Sequence, residues 1–219
     1  MSIALSLGNN LTTGGIFKPT AVNNTSVNNV TDFAGIAGGG TLILLSTQTA
    51  SASANISFTT GIDSTYDEYV FKIINCHPST GPVYFQFNLS TDGGSTYAVT
   101  KTSSSFYARL NEDNTSGVLG YDGACHLAQS TNYQNFAENI GSDTDHNISG
   151  YLHLFNPSDT TFVKHYIATT NIVQTTPASI NWFIGGYGNT TSAINAIDFK
   201  FSSGNIDDGI IKMYGLVKS

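Results

Sequence analysis

From Thr41 onward, apolar and polar side chains alternate along the chain with a period of two. In Val83-Tyr84-Phe85-Gln86-Phe87-Asn88-Leu89, the residues Val83, Phe85, Phe87 and Leu89 share one face, while Tyr84, Gln86 and Asn88 share the other. That is the pattern of a strand with one face in a core. Ile197-Asp198-Phe199-Lys200-Phe201 and Asn55-Ile56-Ser57-Phe58-Thr59 alternate in the same way. Three segments are apolar on both faces: Leu42 to Leu45, Tyr69 to Ile74, and Ile210 to Val217. Such strands sit centrally in a sheet or have their second face covered by a neighbouring subunit. With further strands at Tyr151–Phe155, Thr161–Thr169 and Ile180–Ile184, the expectation is about eight to ten strands separated by turn signals, as in a sandwich or jelly roll.

Helical signal is confined to Asn135–Ile140, which reads as one short turn, and Ser103–Ser149 reads as a loop-rich exposed lobe. Residues 1–40 differ from the rest. Gly14-Gly15, Lys18-Pro19, an Asn-rich tract and Gly35-Ile36-Ala37-Gly38-Gly39-Gly40 leave apolar residues too sparse for a core. Ile16, Phe17, Val22, Val27, Val30 and Phe33 nevertheless recur often enough to grip a partner surface, so an anchoring arm and a disordered tail are both open. The predicted architecture is all-β: a single antiparallel, jelly-roll-like β-sandwich over residues 41–219, preceded by an extended N-terminal arm over residues 1–40.

Composition sharpens this picture. Asp, Glu, Lys and Arg make up 11% of the 219 residues, against roughly 25% in an average globular domain. Ser, Thr, Asn and Gly therefore keep the surface wet, and such a surface responds weakly to salt. Net charge is -7, with 8 Lys and Arg spread thinly. Without a cation cluster, neither nucleic acid nor an anionic membrane surface is an expected partner. Residues 1–15 show no signal-peptide pattern and no apolar run approaches the ~20 residues of a membrane helix, so synthesis and folding in a cytoplasm are expected. The two cysteines, Cys76 and Cys125, lack metal-ligand spacing and are expected as free thiols.

Candidate chemistry is sparse. Ser90-Thr91-Asp92-Gly93-Gly94-Ser95-Thr96-Tyr97 resembles an Asp-box, the pattern Ser-x-Asp-x-Gly-x-Thr-aromatic found in sialidases and other β proteins. Ser90, Asp92, Gly94, Thr96 and Tyr97 then form a structural hairpin turn, in which Asp92 accepts backbone hydrogen bonds and the glycines supply positive φ. One copy says little about catalysis. Asp143-Thr144-Asp145-His146-Asn147 begins like a calcium loop, but the sixth and twelfth positions hold Ile148 and Leu154 where an EF-hand needs Gly and Glu, so a polar surface loop is expected. His77, His126, His146, His153 and His165 lack ligand spacing, and His153 should point away from the face that Leu152 and Leu154 bury. Cys125 and His126 are neighbours and would face opposite ways in an extended segment. The acid pairs Asp67-Glu68, Glu112-Asp113 and Asp207-Asp208 read as turn markers. No catalytic residue, metal site or cofactor is predicted.

Several stretches resemble virion structural proteins of marine and freshwater tailed phages. They are Ala54-Asn55-Ile56-Ser57-Phe58-Thr59-Thr60-Gly61-Ile62-Asp63-Ser64-Thr65-Tyr66-Asp67-Glu68-Tyr69-Val70-Phe71, Ile74-Asn75-Cys76-His77-Pro78, Ser149 to Pro157, and Ser202-Ser203-Gly204-Asn205-Ile206 through Ile211-Lys212-Met213-Tyr214-Gly215. The resemblance covers residues 41–219, and Lys18 to Thr25 resembles the arms of such proteins. It implies a tail-fibre, head-fibre or decoration protein on the virion surface and no active site. The expected partners are further copies of the chain, as a homotrimer, and capsid or tail proteins. A host-surface glycan bound through loop tyrosines such as Tyr121, Tyr133 and Tyr187 is the alternative, and a polysaccharide hydrolase a third reading for which no acid pair stands out.

Overall fold

A computed structural model describes residues 41–121 and 123–217. Twelve strands follow one another: β1 (Leu42–Thr49), β2 (Ile56–Phe58), β3 (Glu68–Pro78), β4 (Val83–Ser90), β5 (Lys101–Asn111), β6 (Gly117–Tyr121), β7 (Gln134–Ile140), β8 (Ile148–Phe155), β9 (Lys164–Val173), β10 (Ala178–Gly188), β11 (Ala196–Phe201) and β12 (Ile206–Leu216). Among the described residues there is no helix. The strands form two antiparallel sheets, a large one of eight strands ordered β1-β12-β3-β8-β9-β10-β5-β6 and a small one of four ordered β2-β11-β4-β7. The protein is a β-sandwich.

Alternation explains how the sheets meet. Val83, Phe85, Phe87 and Leu89 of β4 are buried, as are Ile197, Phe199 and Phe201 of β11, and they face Tyr69, Phe71 and Ile73 of β3 together with Tyr166 of β9. Phe199 is the hub. Its ring lies 6.2 Å from Phe58, 5.6 Å from Phe71 and 6.2 Å from Phe136, while Phe87 meets Tyr166 edge-on at 5.1 Å. Each such ring contributes about 1.5–3 kcal/mol by leaving water, and offset or T-shaped geometry adds to that.

The structure corrects several expectations. Asn135–Ile140 belongs to strand β7, not to a helical turn. Its pairing with β4 sets Gln86 opposite Asn135 and Val83 opposite Ile140, with register shifts between. Those irregularities put Phe136 and Ala137 in the core consecutively, which hides the period of two. Ser103–Ser149 is no loop lobe, since it holds most of β5, all of β6 and all of β7. The Ser-rich run escapes notice because Ser103 and Ser105 fill inward positions normally taken by apolar residues. The strand number exceeds the expected range. Of the strands apolar on both faces, β3 and β12 are interior, but β1 is an edge strand with Leu44 51% exposed.

Candidate interaction face and polar cleft

The outward face of the large sheet carries an apolar band. Strand parity turns Phe106 and Leu110 of β5, Leu119 and Tyr121 of β6, Phe183 of β10 and Ile167 of β9 away from the core. Register lines up Tyr121, Phe106 and Phe183 in one cross-strand row. The Phe106 and Phe183 rings stack at 4.8 Å, beside a shallow apolar hollow of about 330 Å³ that Ile167 and Gly185 help to line. Leu119 is 76% and Tyr121 67% exposed. Among the described residues, every exposed large hydrophobic side chain except Phe162 stands on a strand of this sheet. Scattered exposed leucines are ordinary, but a contiguous row of aromatics is unusual at a solvent-exposed face. Toward β3 and β12 the same face becomes polar: Lys72 lies 5.0 Å from the Tyr214 ring, and His153 Nδ1 bonds Glu68 Oε1. His153 does point away from the buried pair Leu152 and Leu154.

The small sheet presents different chemistry. Asp198, buried between Ile197 and Phe199 in sequence but turned to the sheet's other side, accepts hydrogen bonds from Asn55 Nδ2 (2.6 Å), Ser57 Oγ (2.6 Å) and Tyr133 Oη (2.9 Å). Burial, then the Asp198 charge, holds the Tyr133 phenol well above its usual range. Lys200 Nζ sits 4.0 Å from the Tyr133 ring centroid, a cation–π contact. Beside Tyr133 lies an open cleft of about 490 Å³ lined by Gln86, Tyr97, Leu127, Asn132 and Asn135 among others.

The segment 123–133 that walls this cleft is tied to β4, β5 and β7 by side chains from each. Asn135 Nδ2 donates to Ala124 O (2.7 Å), Gln134 Nε2 to Cys125 O (2.8 Å) and Asn88 Nδ2 to Thr131 O (3.0 Å). Ser103 Oγ accepts from Leu127 N (2.9 Å) and Thr102 Oγ1 from Gln129 N (3.1 Å). Gln134 also receives Ser103 Oγ and Tyr166 Oη on its Oε1. Beneath the segment, Lys101 is fully buried, donating to Asn88 Oδ1 and to Val99 O (2.8 Å). Burial pushes its amine down to about 7. Lys164, also buried, donates to Phe162 O (2.5 Å).

The Asp-box residues make a tight local turn. Ser90 Oγ donates to Asp92 Oδ1 (2.6 Å) and accepts from Gly94 N (3.0 Å), while Asp92 Oδ1 accepts from Thr96 N (2.9 Å). These bonds hold the Asp92 carboxyl below its usual range, the Ser90 hydroxyl contributing most. Gly93 and Gly94 have φ of 73° and 89°. The turn does not make a hairpin, however. β4 pairs with β11 and β7, and the chain leaves the turn to join the large sheet as β5. Tyr97 does not pin a returning strand; its carbonyl accepts from Asn88 Nδ2 (2.7 Å).

The other predicted positions are dispersed. Tyr121 and Tyr187 stand on the large sheet and Tyr133 beside the small one, so the three tyrosines form no common site. Cys76 and Cys125 are both buried and form no disulfide. His126 stacks on Tyr121 at 5.4 Å, and His146 is buried with its carbonyl oxygen 2.6 Å from His77 Nδ1. Of the acid pairs, Glu112-Asp113 lies in the β5–β6 turn, whereas Asp207 and Asp208 lie within β12 at two register shifts and Glu68 opens β3. Among the described residues no three His, Cys, Asp or Glu side chains gather as a metal site. Ile16, Phe17, Val22, Val27, Val30 and Phe33 lie outside the described residues. Sequence reasoning missed Lys101, Gln134 and Asp198 as buried polar anchors. The available signal was parity: Lys101 shares a face with Ser103 and Ser105.

Fold and surface together define an all-β sandwich with an apolar band on its large sheet and a polar cleft beside its small one. No known protein family, curated protein or solved structure matches the chain.

Proposed function

We propose that this chain is a structural component of a tailed-phage virion, a surface decoration or short fibre that associates with copies of itself through the outward face of the large sheet. The observation that carries this reading is the Tyr121, Phe106 and Phe183 row with its flanking Ile167 and Leu119. A second copy is the occupant that suits it. With only 11% charged residues in the chain, little charge has to be desolvated when like surfaces meet. The motif resemblance supplies the virion and the threefold state, and closed rotational symmetry would bury the band without leaving it open to filament growth. Residues 1–40 would fasten the oligomer to capsid or tail, three linked arms multiplying the affinity of one. In this reading the chain works by binding and not by turnover.

Two measurements test it. Sedimentation of the purified chain should give a trimer, and a monomer at all accessible concentrations would defeat the self-association. Imaging of labelled particles should place the protein on the virion surface. A chain lacking residues 2–38 should remain an oligomer but fail to decorate particles, and normal incorporation would remove the anchoring role.

A further inference from the structure

The cleft on the small sheet lies on the opposite side of the sandwich from the apolar band and is built differently. Its wall, segment 123–133, is held by side chains from three strands, and several of those side chains are buried polar groups whose other bonds are also satisfied. Buried amide networks are stable only when complete. This one fixes the backbone from Ala124 to Thr131, so the cleft walls are set before any ligand arrives. Tyr133 is fixed at both ends, its hydroxyl on Asp198 and one ring face under Lys200. Preorganised loops on a rigid scaffold are where recognition is usually placed.

The lining selects the ligand class. Gln86 Nε2 donates to Asn135 Oδ1 (2.7 Å) and Asn135 Nδ2 to Ala124 O (2.7 Å), which sets the floor of the cleft, while Gln86 Oε1 and the exposed Asn132 amide offer acceptor and donor groups that suit sugar hydroxyls. Tyr97 and Tyr133 add aromatic surface against which the C–H face of a pyranose can lie. The lining residues carry no charge, and a chain of net charge -7 disfavours anions. A volume of about 490 Å³ accommodates one or two sugar rings. We infer that this cleft binds a neutral saccharide, with Asn132 at its rim and Tyr133 as its aromatic wall. The inference stands apart from the virion reading: a chain found on particles but blind to sugars would overturn this site alone.

The test is a titration of the full chain, by calorimetry and saturation-transfer NMR, with a panel of neutral hexose and N-acetylhexosamine oligosaccharides. At least one should bind with fast exchange. Asn132→Ala removes an exposed side chain that holds no part of the loop, and should weaken that ligand severalfold at unchanged unfolding temperature. Tyr133→Ala should weaken it about tenfold or more, and Thr160→Ala, at an exposed position of the β8–β9 loop outside both the cleft and the apolar band, should leave it as in the parent. No binding by any member of the panel at millimolar concentration, or equal binding by the parent and both cleft variants, overturns the proposal.

Discussion

Phe106 and Phe183 stack nearly parallel, 12° apart, on the solvent side of neighbouring strands. Two directly opposed aromatics on a buried face would stabilise the strand pair and need no further account. Here the pair is at the surface, with Phe106 still 48% exposed, so much of its apolar area remains in water in the single chain. Removing that area from water is the driving force behind the proposed assembly.

Phe106→Ser combined with Leu119→Ser should therefore dissociate the oligomer. A central aromatic at an interface carries about 2 kcal/mol or more of association, so sedimentation should show a shift to monomer at concentrations where the parent is assembled. Leu119 is largely and Phe106 about half exposed, and the monomer's unfolding midpoint should move little.

Lys101 gives stability a defined pH dependence. In the folded chain burial lowers its amine from 10.5 to about 7. Between those values the unfolded chain holds a proton that the folded chain lacks, so raising the pH favours the fold by up to about 1.4 kcal/mol per pH unit. Below about 7 both states are protonated and the full cost of burying the ammonium remains. Cys76, whose thiol burial pushes from 9.0 to about 12, works in the opposite sense above 9.0. Urea unfolding should thus show stability rising between pH 7 and 9, and Lys101→Met should flatten that rise.

Gly94 should tolerate substitution worse than Gly93. A Cβ at Gly94 would stand 2.7 Å from Tyr97 Oη and 2.8 Å from Thr59 Cγ2 at a φ of +89°, whereas one at Gly93 meets nothing within 4 Å. Gly94→Ala should cost about 1–3 kcal/mol, and Gly93→Ala roughly 1 kcal/mol from the left-handed backbone alone. Thermal melts of the two variants check the order.

Asp198→Asn should unsettle both β2 and Tyr133. The carboxylate accepts three side-chain donors, and the amide would turn one of its acceptor positions into a donor facing them. A loss of about 1–3 kcal/mol is expected for a buried group left badly paired, larger than for Ser57→Ala, as chemical denaturation would show.

Strands β4, β8, β11 and β12 could be located from the chain alone because alternation is a local property, set by the geometry of an extended backbone. The same locality explains the errors. β7 was invisible because its bulged pairing with β4 breaks the period, and β5 because serines stand at its inward positions. Tyr133 could be singled out by its chemistry, but not its place across the sandwich from Tyr121.

Residue order thus settled the all-β class, the strands whose alternation is clean and the local bonds of the Ser90–Thr96 turn. Packing settled the rest. Whether Phe106 meets water or core, whether Lys101 keeps its proton, and whether Asn135 and Gln86 line a cleft depend on which sheet each strand joins and which segment lies over it. Those neighbours are remote along the chain, and the burial that gives each side chain its role exists only once they have met.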